Sequence, residues 1–247
     1  MTGTKINTSK DGEWAITAKR FVGYLDIMGF KDMVAKSTHD EIYDMMKRIE
    51  KQKTFNEDIK WGKTDSKLVK TTTYSDSIMV YSKDNSRDSL HSILCTMSAV
   101  SDDLFLEGIP HKGALAFGMM TLDTEKNIFF GQPLIDAYLL QDELFYYGII
   151  VHASAEQAIE EAQEGKKAAF TETYLCPLKN GFATHLTIAP MSAPPLTVKE
   201  AENPRLVEQA KNLRVAIQKL RYKTSGYLRR YIDNTEAYLK IFASIPK

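Results

Sequence analysis

What this sequence has little of narrows its reading first. Its 247 residues include two cysteines, Cys95 and Cys176, far apart and without metal-ligand spacing. That argues against a disulfide framework and a thiolate metal site, and predicts two free, buried thiols in a reducing cytoplasm. Charge of one sign is not in excess: 32 Lys and Arg balance 32 Asp and Glu. No global basic field draws the chain to DNA or to a membrane surface, although a local patch for a polyanionic small molecule stays open. No apolar run approaches the ~20 residues a membrane span requires. The opening MTGTKINTSKDGEW carries no apolar signal core. A cytoplasmic protein without direct membrane contact is expected. There is no internal repeat and no low-complexity tract.

What is present is an ordinary globular mixture, 43% hydrophobic and 26% charged, enough for a sizeable core in one large domain. RFVGYLDI reads as a buried strand. Gly29 to Ala35 and Asp40 to Gln52 read as helices, with Ser37, Thr38 or Asp40 able to cap the second. LVKTTTYSDSIMVYSK reads as two strands around a tight turn at Tyr74-Ser75-Asp76, rich in residues that suit a sheet. Residues 86 to 107 predict a long amphipathic helix, with Leu90, Ile93, Leu94, Met97, Val100, Leu104 and Phe105 on one side. PHKGALAFGMMTL, YYGIIVHAS and GFATHLTIAP read as further strands. NIFFGQPLIDAYLLQDEL turns at Gly131-Gln132-Pro133 into a helix, and SAEQAIEEAQ is a helix capped by Ser154. After the proline-rich break MSAPPL, residues 200 to 243 read as two helices hinged at KTSGY.

The opening order β-α-α-β-β-α-β contains the ferredoxin-like pattern. It predicts an α+β fold: a mostly antiparallel central sheet with helices packed on one face. In such a sheet the first and third strands are central neighbours. The turn between the second and third strands then lies beside the C-terminal end of the first.

That topology places Asp26, which ends the first strand, next to Asp76, which sits in the turn. Singly, Asp26 reads as a helix cap and Asp76 as turn chemistry. Together they repel unless a cation lies between them. Hard oxygen donors suit Mg²⁺ or Mn²⁺, which bind through one or two carboxylates plus substrate phosphates. Gly29 lets the backbone after Asp26 approach a ligand closely. The N–H groups of Met28, Gly29 and Phe30 open a helix and are placed to receive phosphate oxygens. The expectation is a metal-nucleotide site.

The segments FVGYLDIMGFKDMV, YSDSIMVYS, GIPHKGALAFGMM and NIFFGQPLIDAYLLQDEL resemble, in order and spacing, the catalytic core of class III nucleotidyl cyclases. The wording FFGQPLIDAYLL and the short chain look most like the bacterial pyrimidine cyclases of the Pycsar anti-phage systems. The resemblance implies a ferredoxin-like class III cyclase fold in residues 19–195, after a flexible segment 1–18 and before a C-terminal helical extension 196–247. It implies conversion of UTP to 3′,5′-cyclic UMP and pyrophosphate, with cyclic CMP from CTP, or a catalytically silent nucleotide-binding domain, as alternatives. It implies two divalent cations, Mn²⁺ or Mg²⁺, held by Asp26, Asp76 and the Ile27 carbonyl. It implies a head-to-tail homodimer, and a product that acts on a separate effector protein.

The sequence also departs from the family pattern. Ser75 stands where most cyclases have glycine. Thr72 stands where purine cyclases carry a base-reading Lys or Glu, and its short hydroxyl does not reach a distant purine edge. Ile135 and Leu139 align with the Asn and Arg that stabilise the transition state, so the adjacent Asp136 and Tyr138 are the candidates to serve instead. Lys112 and Lys179 are candidate triphosphate ligands. His111 and His185, within strands, read as hydrogen-bonded structural histidines. The aromatic cluster 145–147 reads as core or dimer interface. Acids interleave the basic helices at 205–230, so nucleic-acid binding is not expected.

Overall fold

Strand β1 (Thr17–Ile27) is buried without a break from Arg20 to Leu25. Such a run belongs to a strand covered on both faces. β1 pairs antiparallel with β3 (Ser77–Ser82) on one side and with β4 (His111–Asp123) on the other. β2 (Val69–Tyr74) adds outside β3, giving the order β2-β3-β1-β4 that the ferredoxin-like pattern predicts. β5 (Ile128–Gly131) pairs with the far end of β4. β6 (Gly148–Val151) runs parallel to β4, and the hairpin of β7 (Thr171–Leu178) and β8 (Gly181–Ile188) completes the sheet beyond it. These strands are seen in a computed structural model that describes residues 14–58, 68–163, 168, 170–192 and 204–241. Most of the expected segment 1–18 and the expected boundary at 195/196 lie outside the described residues.

The expected α+β class and mostly antiparallel sheet are present, but helices cover both faces rather than one. On one face Phe21, Leu25 and Ile27 of β1 meet Ile93, Met97 and Val100 of α3 (Arg87–Leu106), Ile49 of α2 (His39–Asp58) and Ile159 of α5 (Ala153–Gln163). On the other, Tyr24, Ala114 and Ala116 meet Ala137 of α4 (Gln132–Glu143), Ile217 of α6 (Pro204–Lys223) and Ile232 of α7 (Arg229–Lys240). The central strands alternate between two apolar sets, so neither face can be left to water.

α3 is buried almost all round, because α2 and α6 flank it beyond its expected apolar stripe. Its polar residues there are small and bonded. Ser98 Oγ donates to the Ala189 carbonyl at 2.6 Å, and Asp102 accepts from Ser192 Oγ at 2.6 Å. The aromatic cluster proves to be core: Tyr146 lies 5.0 Å from Tyr238, Tyr147 stacks at 5.6 Å on Tyr231, and Thr235 Oγ1 accepts the Tyr147 N–H.

Of two expected helix caps, one holds and one changes. The α2 start is a reciprocal capping box, Thr38 with Glu41, as one of the offered caps. Ser154, however, does not cap α5. His152 precedes the helix and accepts from the Ser154 N–H, while the Ser154 hydroxyl accepts the Phe117 N–H of β4. β7, which carries Pro177, is not among the expected strands. Proline is tolerated in an edge strand, and β7 is the edge.

His111 is fully buried. Its Nδ1–H donates to the Ile109 carbonyl and its Nε2 accepts from Ser101 Oγ at 2.7 Å. Burial pulls its pKa down to about 4. Unfolded, the ring titrates near ~6.5, so the unfolded chain takes up a proton first as pH falls. The stability linked to His111 is therefore complete above about pH 6.5 and lost as pH falls towards about 4, by roughly 2–3 kcal/mol near pH 4.5. Urea unfolding at neutral pH and near pH 4.5 checks this: His111→Gln, though less stable at neutral pH, should show a flatter pH dependence. Parallel curves would remove His111 as the source.

Candidate active site

The register of β1 on β3 builds the site. Asp26 stands opposite Ser77, and the Ile27 N–H donates to the Asp76 carbonyl at 2.8 Å. The β2–β3 turn is thus bonded to the end of β1, and the two acids are neighbours as the topology predicts. Ser75 supplies the turn with a left-handed φ of 55°. Both acids are partly buried. Burial and the nearby Asp76 charge hold the Asp26 carboxyl above the usual carboxylate range, while Lys112 pulls the other way. Burial and a like charge both disfavour the ionised form of Asp26.

The chain leaves β1 through Gly29, whose φ of 77° opens α1 (Phe30–Lys36). The Met28 N–H is not available to a phosphate, since it donates to the Pro110 carbonyl at 2.8 Å. Of the three backbone donors expected here, this leaves Gly29 and Phe30.

Thr72 pairs with Met79, which pairs in turn with Tyr24. Residues directly across a sheet share a face. Thr72, Tyr24 and Asp26 therefore stand on one face, with Thr72 two strands away from β1. Tyr24, two residues before Asp26, hydrogen-bonds Ser77 Oγ.

Lys112 pairs with Asp26 across β1 and β4, so it shares that face. Its side chain is only 3% exposed. Its Nζ donates to the Asp142 carbonyl at 3.3 Å and lies 3.7 Å from Asp142 Oδ1. Lys179 Nζ donates to Asp142 Oδ2 at 2.7 Å, and its backbone N–H to the Glu143 carbonyl. The Lys179 hydrogen bond pulls the Asp142 carboxyl below its usual range, and the same bond raises Lys179. Burial lowers Lys112, which Asp142 and Asp26 oppose. Both predicted cations are therefore found together on one carboxylate that the sequence did not single out.

On α4, Pro133, Ala137 and Gln141 are buried against the sheet. The Tyr138 ring meets Tyr24 edge-on at 5.4 Å. Asp136 lies about 200° further round the helix and accepts from Gln132 Nε2 at 2.8 Å. Of the pair expected to replace the missing Asn and Arg, Tyr138 is the one that packs on Tyr24, the neighbour of Asp26 on the same face. Ile135 and Leu139 are exposed. An open groove of about 540 Å³ runs along the helix past Asp136, Tyr138, Asp142 and His152.

His185 Nδ1 lies 3.2 Å from the Val151 carbonyl and His111 is buried, so both are structural. Among the described residues no three of His, Cys, Asp and Glu converge as a self-sufficient metal cage. Asp26 and Asp76 fit Mg²⁺ or Mn²⁺ nonetheless, since these ions complete their shells with water and substrate phosphates.

No family model matches the chain, and no curated protein matches it. Solved structures do. The catalytic core of a rhodopsin-guanylyl cyclase with converted specificity, in complex with ATPαS, matches with a TM-score of 0.48 and 13% identity, over 70% of this chain and 96% of its own. A class III adenylyl cyclase-like ATP-binding protein from Pseudomonas aeruginosa matches with a TM-score of 0.38 and 15% identity. That match spans 57% of this chain but only 35% of the Pseudomonas protein. The reading of chemistry rests on the residues above.

Asp76→Asn should lower the Asp26 pKa, because it removes the neighbouring charge; carboxyl NMR titration reads this directly, and an unchanged or higher value would separate the two acids. Ser75→Gly should raise the unfolding free energy read from urea denaturation by about 0.5–1 kcal/mol, since a left-handed serine is strained where glycine is not.

Proposed function

We propose that the chain is a divalent-metal-dependent nucleotide cyclase that converts UTP to 3′,5′-cyclic UMP and pyrophosphate, as a second messenger in anti-phage defence. The observation that carries the cyclase reading is the pairing of Asp26 and Asp76 through the β1–β3 register. The two carboxylates, with the Ile27 carbonyl, would hold the cations. When bound, Mn²⁺ or Mg²⁺ neutralises the triphosphate and lowers the pKa of the ribose 3′-hydroxyl. The Gly29 and Phe30 N–H groups and Lys179 bind and orient the phosphates. The 3′-oxygen then bonds to the α-phosphorus as the bond to pyrophosphate breaks. Both reacting groups belong to one molecule, so orientation is much of the catalysis.

Thr72 supports a pyrimidine: it stands on the face of the acids without a long base-reading side chain. UTP over CTP rests on the sequence resemblance alone. The exposed apolar side chains Met119, Phe130, Ile135 and Leu139 support a second copy of the chain as their cover. The product is read by a separate effector protein. Ile135 and Leu139 favour a second reading, a silent domain that binds a nucleotide without turning it over.

Incubation with each of four labelled triphosphates and Mn²⁺ decides. Cyclisation of UTP alone supports the proposal, and CTP alone moves the base. Tight nucleotide binding without product would establish the silent domain. Asp76→Ala should cut turnover more than about 100-fold while leaving the fold intact. Substantial residual activity would refute the metal assignment.

A further inference from the structure

The Lys112–Asp142–Lys179 network has a shape that simple stabilisation does not require. Lys112 is locked in place, its side chain 3% exposed, on the face that carries Asp26. Lys179 is 35% exposed at the tip of the β7–β8 hairpin. Asp142 is 59% exposed at the end of α4, bordering the groove of about 540 Å³. The two lysines approach different oxygens of one carboxylate, Oδ1 and Oδ2. A phosphate presents oxygens to two ammonium groups in the same manner. The acids are also shared unequally: Lys112 has Asp26 as well as Asp142 beside it, whereas Lys179, the more exposed of the two, has its one side-chain bond to Asp142. A cation pair already satisfied by a protein acid is closed to a weak anion but open to a polyanion.

We propose that Asp142 is an internal stand-in for a phosphate group, which a polyphosphate displaces from Lys179 while Lys112 keeps its bond to α4. Asp142 is then a specificity-determining residue. It sets the minimum charge a ligand must carry to capture Lys179, and so favours triphosphates over monophosphates. This rests on the triphosphate reading of the site. It does not depend on the base or on turnover.

The test titrates purified full-length protein, with Mg²⁺ at fixed ionic strength, against inorganic tripolyphosphate and orthophosphate by calorimetry. The expected result for Asp142→Asn is about three- to tenfold tighter tripolyphosphate binding, a larger relative gain for orthophosphate, and hence poorer discrimination. Lys179→Gln should bind tripolyphosphate more weakly than the wild type. In the double variant the gain should vanish, because the released lysine is gone. The asparagine keeps an acceptor oxygen for Lys112, and circular dichroism checks the fold. Should that variant not fold, Asp142→Glu, which keeps the charge, must bind no tighter than the wild type, and Lys179→Gln must still bind more weakly. An Asp142→Asn affinity at or below that of the wild type overturns the proposal, as does a gain that persists without Lys179. Expected anion behaviour in a protein that cyclises no triphosphate would refute the proposed function and leave this inference standing.

Discussion

The antiparallel register of β1 on β3 is the constraint on which the rest of the site depends. It sets Asp26 opposite Ser77, which forces the β2–β3 turn to lie at the end of β1 and delivers Asp76 there. A slip of one residue would turn Asp26 to the other face of the sheet. The register itself is fixed by burial. Phe21 and Leu25 must meet α3, while Tyr24 must face α4. Because β1 is buried on both sides, neither set can be exchanged without exposing apolar surface.

Around the acids, charge is arranged in layers along the strand rows. Asp26 faces Lys112 across β4, and Lys112 faces Asp142 at the end of a helix, where carbonyl groups already concentrate negative potential. Lys179 answers from a hairpin whose backbone is bonded to the same helix end. Acids and bases therefore alternate outward from β1. The field at Asp26 is set by elements far apart in the chain.

Much of this was legible in the sequence. The order of elements carried the β2-β3-β1-β4 sheet, because hydrophobic periodicity and turn residues are local signals, and the pairing of Asp26 with Asp76 followed from it. What depended on long-range packing was not legible. Nothing marks Asp142 out among the acids of QDEL until the β7–β8 hairpin brings Lys179 to it. The Met28 N–H looked free because its partner, the Pro110 carbonyl, is remote in sequence. Asp136 and Tyr138 looked equivalent until the helix orientation separated them. Tyr24 did leave a signal, two residues before Asp26 and so on the same face, that could have been used.

Pro177 of β7 has a role at the sheet margin. An unpaired strand edge is a template on which another chain can add a strand. At Pro177 the outward position has no N–H to offer, and its carbonyl is taken by the Phe145 N–H at 3.0 Å. Leu144 bridges Leu178 beside it. At Pro177 and Leu178 this edge is closed to an added strand. A neighbouring chain that approaches there finds no free backbone ladder to extend, which disfavours fibre growth from that point.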